Sequence, residues 1–417
     1  MNAPTESRNW NLGSDGLKIA IAVHGRFHGF DLARELLRRG HNVTLLTNYP
    51  AWAVARFGIP RNNVQSLWPH GVLSRGARRL YEMNICPYPE QWLHEWFGRW
   101  AASKISKETW DVVVCWSGIG WETFQELNPS QTLRICMRGS AHIRAQARLI
   151  EEERGRTGEI QDCPSDWTIS REEREYNLAD WIMVPSTFAW RTFTSEGVAA
   201  NKITTLPLGV NTQGFRSSRD IIEARCARML SEEPLRILNV GTFSYRKGML
   251  DTAAVVKQLG ARKFQFRFVG PIAPETSALV KEMSPLATFI SKRPQHELPL
   301  HYAWGDLFIL PTIEDGFQMV LAQASAAGLP ILTTPNGAGE DLVGEGKNGW
   351  LLPIRAPDAF VERLQWCDQH RKELAHMVRR IHEQFKPRDW AEVAADFEAL
   401  CLKYLDGPVR KASADGR

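Results

Sequence analysis

The chain has 417 residues, 43% of them hydrophobic and 24% charged, a globular composition too long for one ordinary core. Its net charge of +4 gives no ground for a nucleic-acid partner, and no apolar run is long enough to span a bilayer. Seven scattered cysteines without a C-x-x-C pair suggest neither a zinc site nor a disulfide framework, and the polar start lacks the order of a secretory signal, so a reduced, cytoplasmic protein is expected.

In chain order, the first half alternates short apolar runs with helical patterns. "KIAIAV" (18–23) leads through a glycine-bearing turn into "DLARELLRRG", where Leu32, Leu36 and Leu37 recur at helical spacing. "NVTLLT" (42–47), "DVVVCWS" (111–117), "TLRICMR" (132–138), "WIMVPS" (181–186) and "KITTLPLG" (202–209) continue the series. Nearly continuous, β-branched runs of this kind belong to strands buried on both faces of a parallel sheet. The second half restarts at "RILNVGT" (236–242). It continues through "FQFRFVG" (264–270), "TFISKRP" (288–294), "LFILPT" (307–312), "PILTTP" (330–335) and "GWLLP" (349–353). The repeated rhythm predicts two doubly wound α/β domains, 1–210 and 211–386, with the break at the turn-rich "GVNTQGFRSSRD". Pro387 predicts a kinked helix pair, with a final helix over 387–405 and a disordered tail at 406–417.

Ligands of such sheets bind beyond the carboxyl ends of the strands, so the strand-to-helix turns carry the search, and a cleft between two such domains is the expected site. After the first strand, "HGRFHGF" places Gly25 and Gly29 where backbone N–H groups can meet an anion; a simple tight turn explains them about as well. "GTFSYRKG" (241–248) sets Thr242, Ser244, Arg246 and Lys247 between Gly241 and Gly248 at a helix start. Two cations there oppose the helix dipole, a mismatch that a bound phosphate would repair. "EDGFQMVLAQ" (314–323) puts Glu314 and Asp315 before Gly316 at the mouth of a helix predicted over 318–327. One acid there is ordinary capping. The glycine brings the N–H groups of Phe317 and Gln318 close to a ligand, and with Lys247 the set suits a polyhydroxylated ligand carrying phosphate. Gln323, two turns on, reaches the same place only if its helix face is turned that way.

These stretches together resemble the family 4 retaining glycosyltransferases. "EDGFQMVLAQASAAGLPILTT" is similar to the family's E-G-F-x5-E-A signature, "VGTFSYRKG" to its G-R-x4-K-G turn, and "RGHNVTLLT" and "YNLADWIMVPSTFAWRTFTSEGVAANKITTLPLGVNTQGF" to its N-terminal half. The resemblance implies a GT-B fold: two Rossmann-like domains facing each other across a cleft, with a C-terminal helix returning to the N-terminal domain. It further implies transfer of a sugar from a UDP- or GDP-sugar to an acceptor hydroxyl with retention, in glycan, polysaccharide or glycolipid synthesis, without metal or cofactor. By position, Asp315 matches the acid that contacts the donor sugar, Gln323 the glutamate that grips the ribose, and Lys247 the lysine on the diphosphate. Three departures stand out. Asp315 is one methylene short, with Glu314 beside it; Gln323 is neutral; Thr242 replaces a phosphate-binding arginine, for which Arg246 compensates. His142 in "CMRGSAHIRAQ" is preferred for the family's histidine near the donor sugar, over Arg138, His24 and His28. Base contacts are expected near Lys292 and Arg293.

The departures leave open a catalytically weak nucleotide- or sugar-binding protein, and a GT-B epimerase is the other alternative. The acceptor side is less legible. Trp68, Trp92, Trp96, Trp100, Trp110, Trp116 and Trp121 crowd 68–121 beside the basic "SRGARRLYEM". An aromatic core stripe explains them; so does a peripheral patch that meets an anionic membrane and its lipid-linked acceptor. A soluble acceptor is the alternative.

Overall fold

The computed structural model describes residues 16–406, apart from 84, 160–162 and 232; the tail beyond 406 lies outside them. Seven parallel strands form the first sheet: β1 (Lys18–Val23), β2 (Asn42–Thr47), β3 (Val64–Ser66), β4 (Val112–Trp116), β5 (Leu133–Met137), β6 (Trp181–Val184) and β7 (Ile203–Thr205), in the order β3-β2-β1-β4-β5-β6-β7. Six form the second: β8 (Leu235–Val240), β9 (Phe264–Val269), β10 (Ala287–Ile290), β11 (Leu307–Leu310), β12 (Ile331–Thr333) and β13 (Gly349–Leu351), in the order β10-β9-β8-β11-β12-β13. Every strand read from the sequence is present. The one it misses, β3, is the short, partly exposed Val-Gln-Ser at the sheet edge, which has no apolar run to announce it.

The central strands are apolar because helices cover both faces. All five residues of β4 and all four of β11 are buried. In the second sheet Phe268 stacks on Phe289 with centroids 5.0 Å apart, and Phe243 meets Phe289 edge-on at 5.2 Å. Phe243 and Phe268 are buried and Phe289 partly so; a fully buried side chain of this size contributes roughly 1.5–3 kcal/mol. In both sheets the strand order reverses beside the first strand, between β1 and β4 and between β8 and β11.

Contacts divide the chain into two compact units, but not at residue 210. The first gathers the described parts of Met1–Arg138, Asp166–Met183 and Trp390–Arg417; the second gathers Gly139–Ser165 and Val184–Asp389. The helix Ile143–Thr157 joins the second unit through ion pairs. Arg156 reaches Asp251 at 2.7 Å, and Arg355 reaches Glu153 at 2.5 Å and Glu152 at 2.6 Å. A turn-rich stretch marks where a chain can break, whereas these long-range pairs mark where it packs. The final helix, Trp390–Asp406, belongs to the first unit. There Glu398 pairs with Arg39, Trp390 stacks on His28, and Tyr404 stacks on Trp181.

Candidate active site

The turn after β8 is built by close approach. Tyr245–Lys247 forms a single 3-10 turn that ends at Gly248, in the left-handed region at φ 74°. A Cβ on Gly248 would lie 1.8 Å from the Pro311 carbonyl oxygen, so only glycine lets this turn lie on the chain leaving β11. The Arg246 carbonyl then accepts from the Ile313 N–H at 3.0 Å. Through this seating Lys247 donates to the Asp315 carboxylate. Burial alone would raise the Asp315 carboxyl. The charges of Lys247 and Arg246, with the Gly316 N–H, outweigh it and hold the group below the ordinary aspartate value.

A cavity of about 580 Å³ opens at this pair. It lies beyond the carboxyl ends of β8, β9 and β11, and Val240, Val269 and Leu310 form its floor. That is the point where the strand order reverses, the usual ligand crevice of an open α/β sheet. Gly241, Lys247, Arg293, Asp315, Phe317, Gln318 and Gln323 all line it. The helix Met319–Ala326 starts at the cavity wall. Met319 and Val320, whose N–H groups have no acceptor within the helix, line the cavity and offer the positive end of the helix dipole. Gln318 fixes that entry, since its Oε1 accepts from the Ala338 N–H at 2.6 Å and its Nε2 donates to the Asn336 carbonyl at 2.9 Å.

Two family models match the chain in succession: "Glycosyltransferase Family 4" over residues 27–213 and "Glycosyl transferases group 1" over residues 234–369. The chain belongs to the family 4 glycosyltransferases. Among curated relatives, the putative colanic acid biosynthesis glycosyltransferase WcaL of Escherichia coli is 27% identical over 164 residues, 36% of this chain and 40% of the relative. The amylovoran biosynthesis glycosyltransferase AmsK of Erwinia amylovora is 23% identical over 212 residues, 47% of this chain and 50% of that one. The chain thus spans half or less of the length of these relatives. Solved structures cover it more fully. Anabaena HepE, crystallised with UDP, has a TM-score of 0.62 at 14% identity, covering 93% of this chain and 100% of its own. The catalytic domain of Arabidopsis starch synthase IV has a TM-score of 0.65 at 14% identity, covering 94% and 100%. The fold they share is GT-B.

Lys247, Asp315 and Gln323 line one cavity, and Gln323 has a local partner that sequence did not reveal. Its Oε1 accepts from the buried Tyr302 hydroxyl at 2.9 Å. The cavity wall at residue 323 therefore presents the amide N–H₂, a donor, where a glutamate would present an acceptor. Gln323→Ala is expected to weaken nucleotide binding by about 1 kcal/mol, the usual worth of one hydrogen bond. Gln323→Glu should tighten or preserve it, because one carboxylate oxygen still accepts from Tyr302 and the other faces the cavity. Calorimetric titration of UDP and GDP into both variants decides this; an alanine variant that binds like wild type makes position 323 packing only.

Other expected site residues are employed elsewhere. Glu314 is fully buried and turned away from the cavity lining. It accepts from the Ser140 hydroxyl, from Gln146 Nε2 at 3.2 Å and from the Ala141 N–H at 3.4 Å, and pairs with Arg246 at 3.6 Å. It anchors the start of the Ile143–Thr157 helix, and Arg246 is drawn to it rather than into the cavity. Gly316 serves the same junction, since a Cβ there would lie 1.8 Å from the Gly139 carbonyl oxygen. Thr242 is exposed beside the cavity without lining it. His142 is a helix cap: its Nδ1 accepts from the Arg144 N–H at 3.2 Å, and its buried ring meets Phe193 edge-on. In the first unit, the Gly25 N–H donates to Asn48 Oδ1 at 2.9 Å, so it is taken. Gly29 is buried for packing, with Val23 and Trp116 3.1–3.2 Å from where its Cβ would be.

The tryptophan stripe also resolves. On the helix Glu90–Ile105 the buried face is Leu93, Phe97 and Ala101, while Trp92 is 54% exposed and Trp96 and Trp100 are half-buried. Trp110 and Trp116 are core. The neighbouring helix Trp68–Glu82 is held by buried His70 and Gly71, yet leaves Trp68, Val72, Leu73 and Leu80 more than 40% exposed. No helix among the described residues is long and apolar enough to cross a membrane.

Proposed function

We propose that the chain moves a sugar from a nucleotide-diphosphate donor to an acceptor hydroxyl with retention of the anomeric configuration, in polysaccharide or glycolipid synthesis. The observation that carries this is the convergence of Lys247, Asp315, Arg293 and the Met319–Ala326 helix start on one cavity at the β8/β11 reversal. The relatives named for colanic acid and amylovoran biosynthesis, and the UDP-bound HepE structure, support it. Asp315 accepts from donor-sugar hydroxyls, and Gln323 meets the ribose. Lys247, with Lys292 and Arg293, takes the diphosphate, whose departure on the face where the acceptor enters lets its oxygen receive the acceptor proton. Stabilising that developing charge is the main catalytic work. A panel of nucleotide sugars, scored by thermal stabilisation, identifies the donor. NMR of the product tests retention: an inverted centre sinks the front-face reaction.

The side-chain cations and helix N-terminus balance the diphosphate without a metal in this mechanism. Full activity in EDTA is the expected result; loss of activity restored by Mg²⁺ or Mn²⁺ would refute it. We place the protein in the cytoplasm, meeting the inner membrane face through the exposed row Trp68, Val72, Leu73 and Leu80 with its interspersed arginines. Flotation with liposomes should rise with anionic lipid, and indifference to lipid charge would remove the membrane contact.

A further inference from the structure

The first unit contains a second cavity, about 250 Å³, none of whose lining residues lines the cavity at Lys247 and Asp315. It lies beyond the ends of β1 and β2, under the helix Trp68–Glu82. Its wall is fixed by a relay of hydrogen bonds. The Gly25 N–H donates to Asn48 Oδ1, Asn48 Nδ2 donates to His70 Nδ1 at 3.2 Å, and His70 Nε2 donates to the Leu93 carbonyl at 3.0 Å. The helix touches the β2 turn directly, because a Cβ on Gly71 would lie 2.1 Å from the Asn48 carbonyl oxygen.

The chemistry of the lining is one-sided. No aspartate or glutamate lines the cavity, whereas Arg75 and Arg78 do. Arg75 has no carboxylate partner among the described residues; its guanidinium lies 4.8 Å from the Tyr49 ring centre. Arg78, one turn on, pairs at 3.1 Å with the exposed Glu82. Burial lowers the three lining histidines, His94 to about 4, so they stay neutral; His70 spends both ring nitrogens on Asn48 and Leu93, whereas His24 Nδ1 has no hydrogen-bond partner among the described residues. Phe27, at the rim, is 55% exposed and held at φ 34°, a conformation that costs free energy and that gathers at ligand sites. Arginine forks, neutral imidazoles and open aromatic faces together fit a saccharide carrying phosphate.

We propose that this cavity binds the phosphate-bearing head of the acceptor, a sugar phosphate or glycosyl diphosphate. The inference rests on reading the second unit as the donor side, and its test separates the two. UDP is titrated first into the full chain, which reads the donor cavity alone. With UDP saturating, galactose, galactose 1-phosphate and a galactosyl diphosphate bearing a decyl chain are titrated in turn. The phosphorylated probes should bind at least about tenfold more tightly than galactose. The double variant Arg75→Gln/Arg78→Gln, at exposed positions that the fold does not depend on, should erase that preference and leave UDP affinity unchanged. A further tightening by the decyl chain assigns the head to a lipid carrier; equal affinity of the two phosphorylated probes assigns it to a soluble sugar phosphate. Equal binding of galactose and its phosphate, no binding of either phosphorylated probe, or a preference that survives the double substitution overturns the proposal.

Discussion

Replacing Lys247 with alanine is expected to lower turnover on the order of 100-fold or more, as loss of one transition-state donor commonly does. The ammonium is largely buried beside Asp315, so its charge acts through little intervening water. In the proposed reaction, charge on the leaving diphosphate grows beyond its ground-state value as the glycosidic bond breaks. Turnover should therefore fall more than UDP affinity. The acid limb of activity should move as well. In the wild type the depressed Asp315 carboxyl stays ionised down through the usual aspartate range, and its contribution is lost only as pH falls through the depressed value. Without Lys247 the burial that raises this group has only Arg246 and backbone against it, so the limb shifts to higher pH. Single-turnover rates across pH, with UDP titration in parallel, measure both effects. Near-normal turnover in the variant would move the charge-stabilising role to Arg293 and Lys292.

The strands were legible because a residue run buried on both faces must be apolar throughout, and only the edge strand β3 escapes that demand. The cavity beyond β8 and β11 was legible through the turns that follow those strands, because the glycines and charged residues that shape a turn lie directly beside the strand end in the chain. What sequence hid was direction and distant partnership. Glu314 and Asp315 are adjacent, yet Asp315 faces the cavity and Glu314 faces Ser140, 174 positions earlier in the chain. Gly316 looked like a ligand-facing glycine, but its constraint is the Gly139 carbonyl, equally remote. Tyr302 gave no signal, since nothing in "HYAWGD" marks a hydroxyl aimed at residue 323. The His142 cap had a readable cue, a polar ring one residue before a helical run. At the end of β5 itself, Arg138 pairs with Glu172 at 3.0 Å.

The second large effect is expected at Gly248, where the fold and the chemistry meet. Alanine at this left-handed position costs about 1 kcal/mol on backbone grounds alone. Its Cβ would also sit 1.8 Å from the oxygen and 2.6 Å from the carbon of the Pro311 carbonyl. Those atoms are backbone at the end of β11 and have no rotamer to yield, so the turn itself must lift. Overpacking of this kind adds roughly 1–3 kcal/mol, for a total loss of about 2–4 kcal/mol. Lys247, the preceding residue, would be carried away from Asp315 as the turn lifts. Gly158→Ala is the matched control: φ is 71° at a helix C-cap, with nothing within 4 Å of its Cβ position, so only the backbone cost applies. Urea unfolding should therefore separate the two variants by about 1–3 kcal/mol, and UDP titration should show weakened binding in Gly248→Ala alone. Equal stability of the two variants, with normal UDP affinity in both, would mean that the approach of this turn to β11 does not hold Lys247 in place.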